Sequence, residues 1–187
     1  MRVGCLAVSA LMASLAFGLP PVQSATWQPK EAEQAPGQIF GIGAGAMLPT
    51  GTFSQFNDPS YFVQSRSIYV EKIFGGRAAG YYGDTGGSAG IDGGRVYGFD
   101  FDFLVKFGSA RSFGYVFAGG GYGKLTATSP DRVSGLPVRH SGYEWCWTGG
   151  LGYSFRHEHG FYVEASYVSY QTNPSSNFIP IVIGYQH

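Results

Sequence analysis

Residues 95–107 read RVYGFDFDFLVKF. Tyr97, Phe99, Phe101, Phe103, Val105 and Phe107 alternate there with Val96, Gly98, Asp100, Asp102, Leu104 and Lys106. A β-strand turns successive side chains to opposite faces, so this period of two builds one aromatic face and one smaller, more polar face. A helix would scatter both sets around its axis.

The same alternation recurs along the chain. Ser141 to Phe155 sets Tyr143, Trp145, Trp147, Gly149, Leu151, Tyr153 and Phe155 against Glu144, Cys146, Thr148, Gly150, Gly152 and Ser154. Near the C-terminus, Ile179, Ile181, Ile183 and Tyr185 oppose Pro180, Val182, Gly184 and Gln186. Phe161 to Tyr170 carries Phe161, Val163, Ala165 and Tyr167 opposite Tyr162, Glu164 and Ser166. Gln38 to Leu48 carries Phe40, Ile42, Ala44, Ala46 and Leu48 opposite Ile39, Gly41, Gly43 and Gly45, and Ser112 to Leu125 carries Phe113, Tyr115 and Phe117 on one face. Tyr61 to Val70 and Gly76 to Gly83 alternate least clearly. The segments number eight, an even count of the kind bacterial barrels use.

Connection lengths alternate as well. Short turns fall near Glu71-Lys72, Gly108 to Arg111 and Arg156 to His159, whereas longer loops fall at Pro49 to Ser60, Asp84 to Gly94, Thr126 to His140 and Gln171 to Ser176. Short turns at one end and long loops at the other are the pattern of outer-membrane barrels, and they place both termini on the periplasmic side.

Composition decides which face is outside. A soluble barrel or sandwich would bury the aromatics and cover its other face with Lys, Glu and Arg. Charged residues make up only 13% of this chain, against about 25% in ordinary soluble domains. The second face is mostly Gly, Ser, Thr and Ala, which suits the narrow interior of an eight-stranded barrel. The aromatics are therefore expected to face lipid, with Tyr97, Tyr143, Trp145 and Tyr167 near the outer interface. Phe107, Phe113, Tyr115, Phe155, Phe161 and Tyr185 are expected near the inner one. The fold class is all-β, an eight-stranded antiparallel transmembrane β-barrel. The sheet must close, because open edges would leave backbone groups unpaired in hydrocarbon.

The first residues read as an export signal. Arg2 is basic, Val3 to Gly18 is apolar or small, Pro20 and Pro21 break any helix, and Val22-Gln23-Ser24 fits a cleavage site. The expected division is a signal peptide over 1–24, a polar periplasmic lead-in over 25–37 and the barrel over 38–187. Cys5 leaves with the signal, so Cys146 has no partner for an intrachain disulfide. The net charge of +0 gives no reason to expect nucleic acid as a partner.

Two stretches resemble the outer-membrane β-barrel family that includes the OmpA barrel domain and OmpX. One is the Gly-rich first strand running into Pro49-Thr50-Gly51-Thr52-Phe53; the other is the closing pair, Gly160 to Ala165 and Phe178 to Tyr185. The resemblance covers about Gln38 to His187. It implies residence in the outer membrane after export, contact with its lipid and lipopolysaccharide, and handling by the barrel-assembly machinery. Members commonly end in Phe, where this sequence has His187.

Candidate chemistry is sparse. Gly41 to Ala46 loosely matches a dinucleotide fingerprint, but Pro49-Thr50-Gly51 follows where a helix is needed. His157-Glu158-His159 is read as a solvated turn and Asp84 to Gly94 as a surface loop, so no cofactor or metal is expected. His140, Ser141 and Glu144 cluster in sequence as a hydrolase triad might require, yet Ser141 and Glu144 fall on opposite faces of their strand. Asp100, Asp102, Lys106, Glu144 and Glu164 are expected to form a polar network in the lumen, with Arg66 and Arg77 as candidate partners. The lipid-facing aromatics are Tyr97, Phe99, Phe101, Phe103, Tyr143, Trp145 and Trp147. The function expected is a non-enzymatic structural or surface-contact role with a plugged lumen. The alternatives are a narrow porin-like channel, a lipid A-modifying enzyme and a soluble secreted β-barrel.

Overall fold

The structure is a computed structural model that describes residues 38–87, 92–109, 112–131, 133–155, 159–172 and 175–187. The expected signal and lead-in, His157, Glu158 and part of the Asp84–Gly94 loop lie outside the described residues. The barrel strands are β1 (Ile39–Thr50), β2 (Ser60–Glu71), β3 (Phe74–Asp84), β4 (Arg95–Gly108), β5 (Phe113–Pro130), β6 (Pro137–Ser154), β7 (Gly160–Tyr170) and β8 (Ser176–Gln186). Each strand pairs antiparallel with its chain neighbours, and β1 pairs with β8, so the eight-stranded sheet closes without an edge.

Alternation in sequence becomes alternation in exposure. Along β4, Tyr97, Phe99, Phe101, Phe103 and Phe107 lie exposed on the outer surface, and Val96, Asp100, Asp102, Leu104 and Lys106 point into the lumen. On β6, Tyr143, Trp145, Trp147, Leu151 and Tyr153 are exposed while Cys146, Thr148 and Ser154 are buried. Trp147 is 66% exposed and Phe101 64%, values at odds with a soluble protein of this size. Such a surface suits hydrocarbon. Strands β2 and β3 read faintly because their outward midsection is small: Ser65 and Ser67 face Gly80 and Ala78. They floor a recess of about 560 Å³ between Phe40 and Ile42 on one side and Phe99 and Phe101 on the other.

Strand β5 corrects the expected inner aromatic belt. Phe113 and Tyr115 are fully buried inside the barrel, and Phe117 nearly so. Register is the cause: Leu104 faces Phe117 and Lys106 faces Tyr115, and directly paired residues share a side of the sheet. The outward residues of β5 are instead Gly114, Val116, Ala118, Gly120, Tyr122 and Lys124.

Inward glycines receive these inward rings. A Cβ added at Gly152 would lie 2.2 Å from the Tyr115 ring, and one at Gly184 would lie 2.3 Å from the ring of Tyr162. The glycine-rich face is thus a set of troughs filled by tyrosines from neighbouring strands. Tyr162, Tyr170, Phe62 and Phe178 are likewise buried in the lumen.

The loop between β5 and β6 is shorter than the expected Thr126 to His140. Pairing continues from Thr126↔Ser141 to Pro130↔Pro137, leaving only residues 131–136 as the connection. Polar and β-branched residues such as Thr126, Thr128 and Val138 sustain a hairpin in water as readily as a loop. At the same end, a 3₁₀ turn (Gly51–Gln55) inserts Phe53 into the mouth of the barrel, and Asn57-Asp58 pairs with Gly86-Gly87.

Because the outward midsection of β4 suits hydrocarbon, Phe101→Arg should cost about 2–4 kcal/mol in folding into lipid vesicles. Urea titration in vesicles measures this, and a negligible cost would contradict the outward placement in lipid.

Candidate functional site: the charged layer of the lumen

The interior contains three layers. Toward the loops, Met47, Phe53, Phe62, Tyr81, Val96, Leu125, Tyr170 and Phe178 belong to one apolar cluster. Toward the turns, Ile39, Ile68, Val70, Leu104, Phe113, Tyr115 and Phe117 form another. Between them lies a layer of charged and amide side chains.

Glu164 on β7 is the hub of that layer. It accepts a paired contact from Arg77 on β3, Nη2 to Oε1 at 2.7 Å and Nε to Oε2 at 3.3 Å. It also accepts from Arg66 Nη1 at 2.9 Å, Gln64 Nε2 at 2.9 Å and the Tyr115 hydroxyl at 2.8 Å. Arg77 reaches Asp100 at 2.6 Å and Asp102 at 2.5 Å on β4. Thr148 on β6 donates to Asp102, and Arg66 Nη2 donates to Gln186 Oε1 on β8 at 2.8 Å. Gln186 in turn donates to Ser154. The network therefore draws on seven strands, all except β1.

The aromatic rings support the cations from the side. Arg66 lies 3.4 Å from the centroid of Tyr162 and Arg77 lies 4.4 Å from that of Phe117. Burying ions is costly unless charge and hydrogen bonding are both satisfied. The buried carboxylates Asp100, Asp102 and Glu164 are matched by the buried cations Arg66, Arg77 and Lys106, so the formal charges of this set cancel.

The structure brings Asp100, Asp102 and Glu164 together around Arg77. Lys106 points inward nearer the turn end, 4.9 Å from the centroid of Phe113. Glu144 is half-buried nearer the loop end and makes no hydrogen bond or ion pair with the layer. Tyr115, Thr148 and Gln186 are members that hydropathy alone did not single out. Thr148 and Gln186 lie on the non-aromatic parity of their strands, which is the signal that could have found them, whereas Tyr115 is turned inward by the register of β5 with β4. The outer aromatics Tyr97, Phe99, Phe101, Phe103, Tyr143, Trp145 and Trp147 are all exposed, away from this layer.

His140, Ser141 and Glu144 do not converge as a hydrolase triad would. Ser141 points outward and shares a 3.1 Å contact with Thr126, whereas His140 and Glu144 lie on the other parity. At the turn end, His159 stacks on His187 with centroids 4.3 Å apart.

Removing Glu164 leaves the buried Arg66 without a carboxylate and takes one of three from Arg77. Glu164→Ala should lower folding stability by about 3–5 kcal/mol. Glu144→Ala should change it by no more than about 0.5 kcal/mol. Urea unfolding of both variants in vesicles compares them, and equal effects would contradict the hub role.

No family model matches the chain, and no curated protein sequence matches it. Solved structures do. The outer membrane enzyme PagL superposes with a TM-score of 0.55 at 16% identity, covering 79% of this chain and 97% of that one. Neisserial surface protein A (NspA) gives 0.56 at 10% identity, covering 80% and 94%. The attachment invasion locus protein Ail of Yersinia pestis gives 0.50 at 15% identity, covering 81% and 99%. At these identities the likeness concerns the fold, which is the eight-stranded barrel found in outer-membrane proteins.

Proposed function

We propose that this protein is a small, non-enzymatic barrel of the Gram-negative outer membrane, with a closed lumen and a structural or surface-contact role. The loop end faces the exterior and the short turns face the periplasm, in keeping with the alternation of connection lengths. Lipopolysaccharide and phospholipid surround the aromatic wall, and the barrel-assembly machinery inserts the exported chain.

The observation that carries this reading is the cross-lumen net centred on Glu164, with an apolar cluster on either side of it. An eight-stranded barrel is only wide enough for its own side chains, and here those side chains meet in the middle. A conducting path would have to break ion pairs held away from water. The loop end adds a second barrier. Asn57 Nδ2 donates to the carbonyls of Phe53 and Thr128, both at 2.8 Å, and Thr85 Oγ1 donates to Asn57 Oδ1 at 2.9 Å. These bonds fasten Phe53 in the mouth. What remains for function is the rim of loops and the outer wall.

Purified protein in a planar bilayer should therefore give no steady unitary current under conditions in which a known porin does. Reproducible channels of uniform conductance would contradict the closed lumen and favour a narrow pore.

A further inference from the structure

Rows of outward side chains on β4, β5 and β6 can be followed up the barrel by register. Phe107 pairs with Gly114, Val105 with Val116, Phe103 with Ala118, Phe101 with Gly120 and Phe99 with Tyr122. The corresponding residues of β6 are Tyr153, Leu151, Gly149, Trp147 and Trp145. No charge interrupts these rows. The next row is Tyr97–Lys124–Tyr143, and the one above it is Arg95–Thr126–Ser141.

Depth follows from strand geometry. From Phe107 to Tyr97, a rise of ~3.3 Å per residue on strands tilted by ~40° climbs about 25 Å, the height of the apolar band of such barrels. Lys124 therefore stands where hydrocarbon ends and headgroups begin. Its ammonium lies 5.7 Å from the centroid of Tyr143, which stacks on Tyr122 at 5.9 Å. Arg95, one row farther out, keeps a highly exposed guanidinium whose Nε is 3.6 Å from Asp84 Oδ2. Thr126 and Ser141 place two hydroxyls 3.1 Å apart beside it. Asp84 is the only carboxylate in these two rows.

We propose that Lys124 and Arg95, with the hydroxyls of Tyr97, Tyr143, Thr126 and Ser141, bind a phosphate group of lipid A in the outer leaflet. The chemistry is that of a phosphomonoester held at a fixed depth. The cations meet its charge, and the hydroxyls can donate to its remaining oxygens. The rings below seat the first part of the acyl chains. A lysine at this height extends its ammonium toward the headgroups while its stem lies on the rings. This inference rests on the outer-membrane reading. It goes further by naming the lipid and the residues that hold it.

Native mass spectrometry of the folded protein in detergent tests it, with diphosphoryl lipid A, the same lipid stripped of phosphate, and phosphatidylglycerol as probes. Diphosphoryl lipid A should bind most tightly. Lys124→Gln should weaken it about tenfold, as the loss of one charge-assisted contact implies. Lys124→Arg should retain binding, and Lys72→Gln at the turn end should leave it unchanged. Inorganic phosphate at millimolar concentration should not compete. Equal binding of dephosphorylated lipid A or phosphatidylglycerol, equal binding by Lys124→Gln, or an equal loss in Lys72→Gln would overturn the site. So would displacement by free phosphate. A heat-dependent gel shift of each variant shows whether the barrel has folded. Failure of the wild type to insert into vesicles would sink the membrane reading itself, separately from the site.

Discussion

Glu164 and the two arginines that grip it set the terms for the rest of the barrel. A carboxylate this deeply buried survives only where cations and donors surround it. Here Arg77 comes from β3, Arg66 and Gln64 from β2 and Tyr115 from β5, so satisfying one ion ties together strands on opposite sides of the lumen. The inward glycines, the inward tyrosines and the two apolar clusters all fit around that contact. A barrel with a wider lumen would lose it, and one with larger residues at Gly152 or Gly184 would have no room for the rings that flank it.

The outer wall follows from the opposite constraint. Closing the sheet pairs backbone groups around the full ring, which is the condition for passing strands through hydrocarbon. Polar groups concentrated in the lumen leave the other parity free to be apolar. The belt of Tyr97, Tyr143 and Trp145 and the deeper Trp147, Phe101 and Phe103 are the outward half of the same alternation that aims Asp100 and Asp102 inward. Inside and outside are thus two readings of one period.

Much of this was legible in the sequence. Residues 95–107 alone announce the strand, its two faces and its inward carboxylates, because aromatic and acidic residues mark the two parities unmistakably. Strand β5 was misread for a physical reason. Phe113, Tyr115 and Phe117 look like lipid-facing aromatics until the pairing with Leu104 and Lys106 fixes their parity, and register is a property of two strands together. Glycine misled in a related way. It suggests a small lumen face, but Gly43, Gly152 and Gly184 are spaces for rings contributed by other strands. Glu144 shares the parity of the lumen residues yet sits too near the loop end to reach the layer, a height that only the register with β5 reveals. The loops carry little recognisable chemistry, so the role of the rim could not be read from their composition.

The proposed arrangement sets the aromatic parity in lipid and the charged parity in a packed interior. Tryptophan fluorescence in vesicles tests it most directly, because Trp145 and Trp147 lie on that outer wall one row apart. Trp27 is first replaced by Phe, and one of the pair at a time is retained. Lipids brominated along the acyl chain should quench both residues, with Trp147 responding to deeper bromines than Trp145, and aqueous iodide should quench neither efficiently. Strong quenching by iodide with no response to brominated chains would contradict the account and turn the aromatic wall toward water.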